Sequence, residues 1–127
     1  MGEVTFGDFR DLRIWQQSQD IRKKLWDLTK GLPKEETYRL SDQIIRASRS
    51  ATACIAEGYG RYHYQENIQY CRQSRGSLYE LIDHIDVARE CRYIETEQTE
   101  TLITEIKTTI KILNGYIKYL KNKKENK

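Results

Sequence analysis

The chain has 127 residues, 38% hydrophobic and 32% charged, with a formal net charge of +3. That length suits one domain with an unstapled core, one proline and seven glycines are too few turn residues for an all-β fold, and no apolar run reaches the ~18 residues of a membrane-spanning helix. Residues 118–127 carry five lysines against Glu125, a net of +4, so residues 1–117 net to −1 and the pI of about 8.7 says little about the body of the protein.

Residues 1–8 read as an N-terminal extension. They contain no basic run followed by an apolar stretch, so a cytoplasmic location is expected. A first helix is predicted from Phe9 to Lys30, with Asp8 as N-cap. Ile14, Ser18, Ile21, Leu25 and Leu28 form its apolar stripe in steps of four and three, Trp15 and Trp26 widen it, and Gly31-Leu32-Pro33 stops it. A second helix is predicted from Lys34 or Glu35 to Glu57, with Leu40, Ile44, Ala47, Ala51 and Cys54 inward. Its stripe is narrow and flanked by Ser48, Ser50 and Thr52, which invites close approach by a neighbour. Gly58 suits the left-handed residue that ends such a helix.

A third helix is predicted from Tyr64 to Arg92, with Cys71, Ser74, Leu78, Leu81, Ile85 and Ala88 as its stripe. Gly76 sits inside it at a cost of about 1 kcal/mol relative to alanine. Gly76-Ser77 therefore predicts a tight contact with the small stripe of the second helix. The fourth helix is predicted from Thr96, its N-cap, to Lys121, on Ile103, Ile106, Ile110, Leu113, Ile117 and Leu120. That stripe outweighs the β-branched threonines around it. Residues 122–127 are expected to be a disordered basic tail. Steps of three and four, with short joints, predict an all-α, up-down-up-down antiparallel four-helix bundle with left-handed packing over residues 9–121.

Catalytic patterns are missing from the sequence. A di-metal bundle needs Glu-x-x-His, but Gly60 precedes His63 and Leu81 precedes His84 at that spacing. Cys54, Cys71 and Cys91 form no Cys-x-x-Cys pair and read as reduced thiols. No phosphate loop or nucleophile elbow occurs. A non-enzymatic protein without cofactor or metal is expected. Glu57 lies in the last turn of the second helix, where a carboxylate opposes the dipole by a few tenths to about 1 kcal/mol. Arg61 or Arg46 is the expected partner, pinning the turn or marking a recognition site. Tyr59, Arg61, Tyr62, His63 and Tyr64 form an aromatic–basic cluster suited to stacking on unpaired bases, to a protein interface, or to loop packing. Trp15, Trp26, Tyr38, Ile45 and Ile55 lie off the main stripes, as a wide core or as surface for self-association.

Several runs occur in a specific order: Phe9-Arg10-Asp11-Leu12, Leu32-Pro33-Lys34-Glu35-Glu36, Leu40 to Gln43, Arg46-Ala47, Ser50, Ile55-Ala56-Glu57-Gly58-Tyr59-Gly60-Arg61, and Gly76-Ser77-Leu78-Tyr79-Glu80-Leu81. In these the chain resembles the bacterial four-helix bundle proteins also described as 23S rRNA intervening-sequence proteins. It departs from them at Cys54, where the family usually has asparagine. The resemblance implies a bundle assembled as a homopentamer. It also implies kinship in fold with the accessory variability protein of diversity-generating retroelements, which binds nucleic acid through a basic surface. Two functions follow as expectations. One is a nucleic-acid-binding adaptor for RNA or DNA, using Arg46, Arg49, Arg61, Arg72 and Arg75, with or without a protein partner. The other is a structural or protein-interaction module in which Glu57, Gly58, Gly60, Arg61, Gly76, Ser77 and Glu80 serve packing and interfaces. Neither involves a membrane.

Overall fold

The computed structural model describes residues 7–126, so most of the N-terminal extension and Lys127 lie outside the described residues. Four helices carry the chain: α1 (Arg13–Lys30), α2 (Leu40–Tyr59), α3 (Tyr64–Glu90) and α4 (Thr96–Glu125). Among the described residues there is no strand. Contacts between successive helices run antiparallel. Arg22 reaches Thr52 while Trp26 lies under Arg49; Gly58 abuts Asn67 while Ser50 meets Ser77; Asn67 reaches Tyr116 while Arg75 reaches Asn114. An ion pair between Lys24 and Glu105 links α1 back to α4. The fold is thus the expected four-helix bundle.

Its core follows the apolar stripes. Ile14, Ile21 and Leu25 of α1 meet Ile44 and Ala51 of α2, Leu78, Leu81 and Ile85 of α3, and Ile106, Leu113 and Ile117 of α4. Burial of such side chains stabilises by roughly 25 cal/mol per Å² of apolar surface removed from water. The stripes drift where the helix period exceeds 3.5 residues. Ile55 is fully buried while Cys54 is half-buried, and Thr29 and Leu102 are buried beside half-buried Leu28 and Ile103. Ile55 is therefore core and not spare surface.

The helix boundaries differ from the predicted ones for local reasons. Asp8 does cap, but it caps a 3-10 turn over Phe9–Asp11, with Asp8 and Asp11 forming a capping box. Leu12 is then extended, and α1 starts at Arg13. A second 3-10 turn, Lys34–Glu36, replaces the predicted start of the second helix. There Glu36 accepts hydrogen bonds from the Leu40 amide at 3.3 Å and from the Tyr93 hydroxyl at 2.7 Å, so α2 begins at Leu40 and its entry is tied to the α3–α4 joint. Glu95, not Thr96, occupies the N-cap of α4, and no side chain caps there. At its other end α4 runs to Glu125, past the predicted Lys121. Lys123 and Lys124 in that last turn complement the helix dipole, and Lys124 donates to Gln65 of α3 at 2.6 Å.

Two glycines change roles. Gly58 is inside α2 and not left-handed; the only positive φ among the described residues belongs to Arg92, at 65°. A Cβ on Gly58 would stand 2.7 Å from Asn67 Oδ1 and 2.9 Å from Tyr70 Cβ, so this glycine lets α2 and α3 close on one another. Gly76, expected at that contact, is exposed with nothing within 4 Å of an added Cβ. The close α2–α3 seam exists, but other residues make it. Buried Ser74 donates to the Ala51 carbonyl at 2.8 Å, and Ser77 donates to Ser50 at 3.0 Å. Gly60 ends α2 with φ −76° and is not sterically required, its virtual Cβ meeting only carbonyl oxygens at 3.6 Å.

Candidate nucleic-acid interface

Within one chain the five arginines singled out from the sequence do not gather. Arg49 turns toward α1, its guanidinium 5.7 Å above the Trp26 ring. Arg75 turns toward α4 and donates to Asn114 Oδ1 at 2.7 Å. Arg46 and Arg72 are exposed on α2 and α3. Arg61 is engaged at the α2–α3 joint, donating to Glu57 Oε2 at 2.9 Å and to the Tyr70 hydroxyl at 2.8 Å, with its charge 5.1 Å above the Tyr70 ring. The expected Glu57–Arg61 pair is present, spaced i,i+4 across the end of α2. Glu80 is spent within α3, 2.8 Å from Nε2 of buried His84.

Antiparallel topology brings a different set together. The end of α2, the start of α3 and the end of α4 share one end of the bundle. Six of the nine tyrosines lie on those segments or on the α2–α3 joint: Tyr59, Tyr62, Tyr64, Tyr70, Tyr116 and Tyr119. Tyr62 is 89% exposed and Tyr119 53%. Tyr116 and Tyr119, one turn apart on α4, stack with centroids 6.2 Å apart and planes 15° apart. Lys123, one turn further, holds its ammonium 5.8 Å above the Tyr119 ring. A shallow groove of about 450 Å³ runs between α3 and α4, lined by Tyr64, Tyr119, Asn122, Lys123 and Asn126. Lys118, Lys121 and Lys124 are exposed on the same last turns. Glu57, which pairs with Arg61, Glu66, 4.0 Å from Arg61, and Glu125 are acids of this end.

The groove is anchored from beneath. Buried Asn67 donates to the Tyr116 hydroxyl at 3.3 Å and accepts from Cys71 Sγ at 3.6 Å. Burial raises the Tyr116 pKa and pushes the Cys71 thiol up to about 12, so both stay protonated at neutral pH. Asn67 is also the residue against which Gly58 packs. The tight seam and the ring platform therefore share one side chain. Cys54, at the position of the family's asparagine, makes only long thiol contacts, 3.7 Å to Ser50 and 4.0 Å to Gln73. Among the described residues no group of three or more His, Cys, Asp and Glu is arranged to hold a metal ion, and no helix is long and apolar enough to cross a membrane.

Exposed aromatic faces beside mobile cations stack on unpaired bases and neutralise phosphates. The Tyr59–Tyr64 cluster and the lysine tail are visible in the sequence, but not that they meet. Tyr116 and Tyr119 are masked in the sequence by Ile117 and Leu120, which dominate that stretch. Their i,i+3 spacing, followed by Lys123 at i+4, was the available signal.

A solved structure, described as a protein of unknown function from the S23 ribosomal protein family of Bacteroides thetaiotaomicron, superposes with a TM-score of 0.76 at 23% identity. The match covers 83% of this chain and 95% of that one, a likeness of fold. No curated protein matches the chain. The profile of the 23S rRNA-intervening sequence protein family matches residues 10–115, ending one residue before Tyr116. That match spans most of the sequence, and the protein belongs to the 23S rRNA-intervening sequence protein family.

Proposed function

We propose that this protein is a non-enzymatic, cytoplasmic adaptor that binds single-stranded RNA or DNA through the tyrosine–lysine end of its bundle. It acts as a homo-oligomer, a pentamer on the family resemblance. The observation that carries the reading is the groove of Tyr64 and Tyr119 beside Lys123, with Tyr116 behind and three further lysines on the same turns. Stacking is tolerant of sequence, and lysines act as point charges, so binding is of low base specificity. Arg61 serves the joint in this reading, because Glu57 and Tyr70 already occupy it.

The test is fluorescence anisotropy with a labelled single-stranded oligonucleotide. Tyr119→Ala removes one stacking face and is expected to weaken binding by about 5- to 150-fold, the range for one base on one ring. Unchanged affinity in that variant rejects this end as the site. A second reading, a protein-interaction module with no nucleic-acid role, draws on Tyr38 and Tyr79, which are 91% and 57% exposed away from the groove. It predicts no oligonucleotide binding by the wild type, and a loss of assembly mass in Tyr38→Ser or Tyr79→Ser by sedimentation.

A further inference from the structure

A second basic surface lies on α1 and α2, apart from the tyrosine–lysine groove. A cleft of about 420 Å³ runs between these helices, bordered by Arg22, Lys23, Trp26, Asp27, Ile45 and Arg49. Neither guanidinium bonds a carboxylate among the described residues. Arg22 donates to Thr52 Oγ1 at 2.8 Å and lies 5.9 Å above the Trp15 ring. Arg49 lies 5.7 Å above the Trp26 ring. The acid on the border, Asp27, is 3.6 Å from Lys30, whose ammonium also lies 5.4 Å from the Trp26 ring, so it is already opposed by a cation. Lys24, the next residue along α1 from Lys23, pairs instead with Glu105 on the far side of the helix.

A guanidinium held over an indole keeps its N–H donors for other partners, and Arg22 spends one of them on Thr52. Two such forks and an ammonium converge on one cleft, with charge that the protein itself does not cancel. Gathered cations repel one another unless an anion sits among them. Phosphate suits the donor set, since guanidinium forks match its oxygens. Beside them Trp26 is 45% exposed, an aromatic surface at the mouth. The volume falls in the range of small-ligand sites.

We infer that the α1–α2 cleft binds a phosphorylated nucleoside, its phosphate held by Arg22, Arg49 and Lys23 and its base against Trp26. The nucleotide comes either free or as the 5′-phosphorylated end of a strand. This does not depend on the tyrosine–lysine site.

The tryptophans report directly. The chain has two, Trp15 and Trp26, and each carries one of the arginines. Full-length Trp15→Phe leaves Trp26 as the single emitter. Its emission should change saturably on titration with adenosine monophosphate. Adenosine without phosphate should bind at least 10-fold more weakly. Arg49→Ala and Arg22→Ala should each weaken the nucleotide by about 10-fold or more, as for loss of a charge-assisted hydrogen bond. Arg49→Lys, which keeps the charge and spares the fold, should lose less. Asp27→Asn should tighten binding. A 5′-phosphorylated oligonucleotide is compared with its unphosphorylated twin. Tighter binding than the mononucleotide, dependent on the 5′-phosphate, assigns the site to strand ends; equal or weaker binding assigns it to free nucleotide. No saturable response to any phosphorylated probe overturns the inference, as does an equal response to adenosine. So does a response untouched in both arginine variants. Loss of assembly mass in Arg49→Ala without a phosphate response assigns the cleft to a second copy of the chain and also overturns it.

Discussion

Gly58 and Gly76 both lie inside helices, and the surfaces around them are opposites. At Gly58, α2 and α3 approach until a single Cβ would collide with Asn67 and Tyr70. At Gly76 the outer face of α3 is bare. The contrast locates rigidity: the α2–α3 seam is built tight at the end of the bundle where the tyrosines gather, and Asn67 passes that constraint to Tyr116. The inner face of mid-α3 is tied to α2 through Ser74 and Ser77, but the outer face at Gly76 carries no comparable constraint. A platform for stacking needs fixed rings, and Tyr116 is held by Asn67, the residue against which Gly58 packs.

One methyl added at each place should have opposite consequences. Gly58→Ala has the largest expected effect. Overpacking against Asn67 and Tyr70 should destabilise the fold by about 2–3 kcal/mol, read by urea denaturation. In the fraction that remains folded, oligonucleotide affinity should fall because Tyr116 loses its anchor. Gly76→Ala should do the reverse, raising stability by about 1 kcal/mol through helix propensity while leaving binding unchanged. Equal signs for the two variants would refute the contrast.

A third substitution sharpens it at the opposite end. Arg92 ends α3 with the Tyr93 amide bonded to the Ala88 carbonyl and its own amide to the Arg89 carbonyl, a Schellman turn whose left-handed residue is not glycine. Arg92→Gly should stabilise by about 0.5–1 kcal/mol in the same denaturation assay.

The smallest effect concerns pH at that end. Hydrogen bonds from Tyr93 and from the Leu40 amide hold Glu36 below the ordinary glutamate range. Its contribution is therefore present above the unfolded pKa of about 4.3 and lost as pH falls through the lower folded value. The same bond to Glu36 pushes Tyr93 up to about 12, so that side of the contribution holds below about 10 and is lost as pH rises through about 12. Thermal melts of Tyr93→Phe should differ from wild type at neutral pH and converge with it in acid.

Much of this was legible in the residues. Periodicity gave four helices and nearly every core residue of α3 and α4, because those stripes are continuous. A carboxylate in a last turn foretold the Glu57–Arg61 pair. Periodicity names the face of a helix but not the point at which a neighbour crosses it, so it points to Gly76 although Gly58 makes the contact. The starts of α1 and α2 were hidden because 3-10 turns capped by Asp8 and Glu36 resemble helix in sequence. The platform joins Tyr64 to Tyr119, and only the closed topology makes them neighbours. Arg22 and Lys23 of α1 are hidden for the same reason, since Arg49, which faces the same cleft, sits on α2.

If this end of the bundle holds phosphates as well as bases, oligonucleotide binding depends on salt. The affinity of the wild type should fall linearly with salt on logarithmic axes. The slope should be about −3 if Lys118, Lys121, Lys123 and Lys124 each meet one phosphate of a single strand, and Lys123→Ala should reduce it by about 0.7. Affinity that does not respond to salt, or a slope that Lys123→Ala leaves unchanged, would contradict the account.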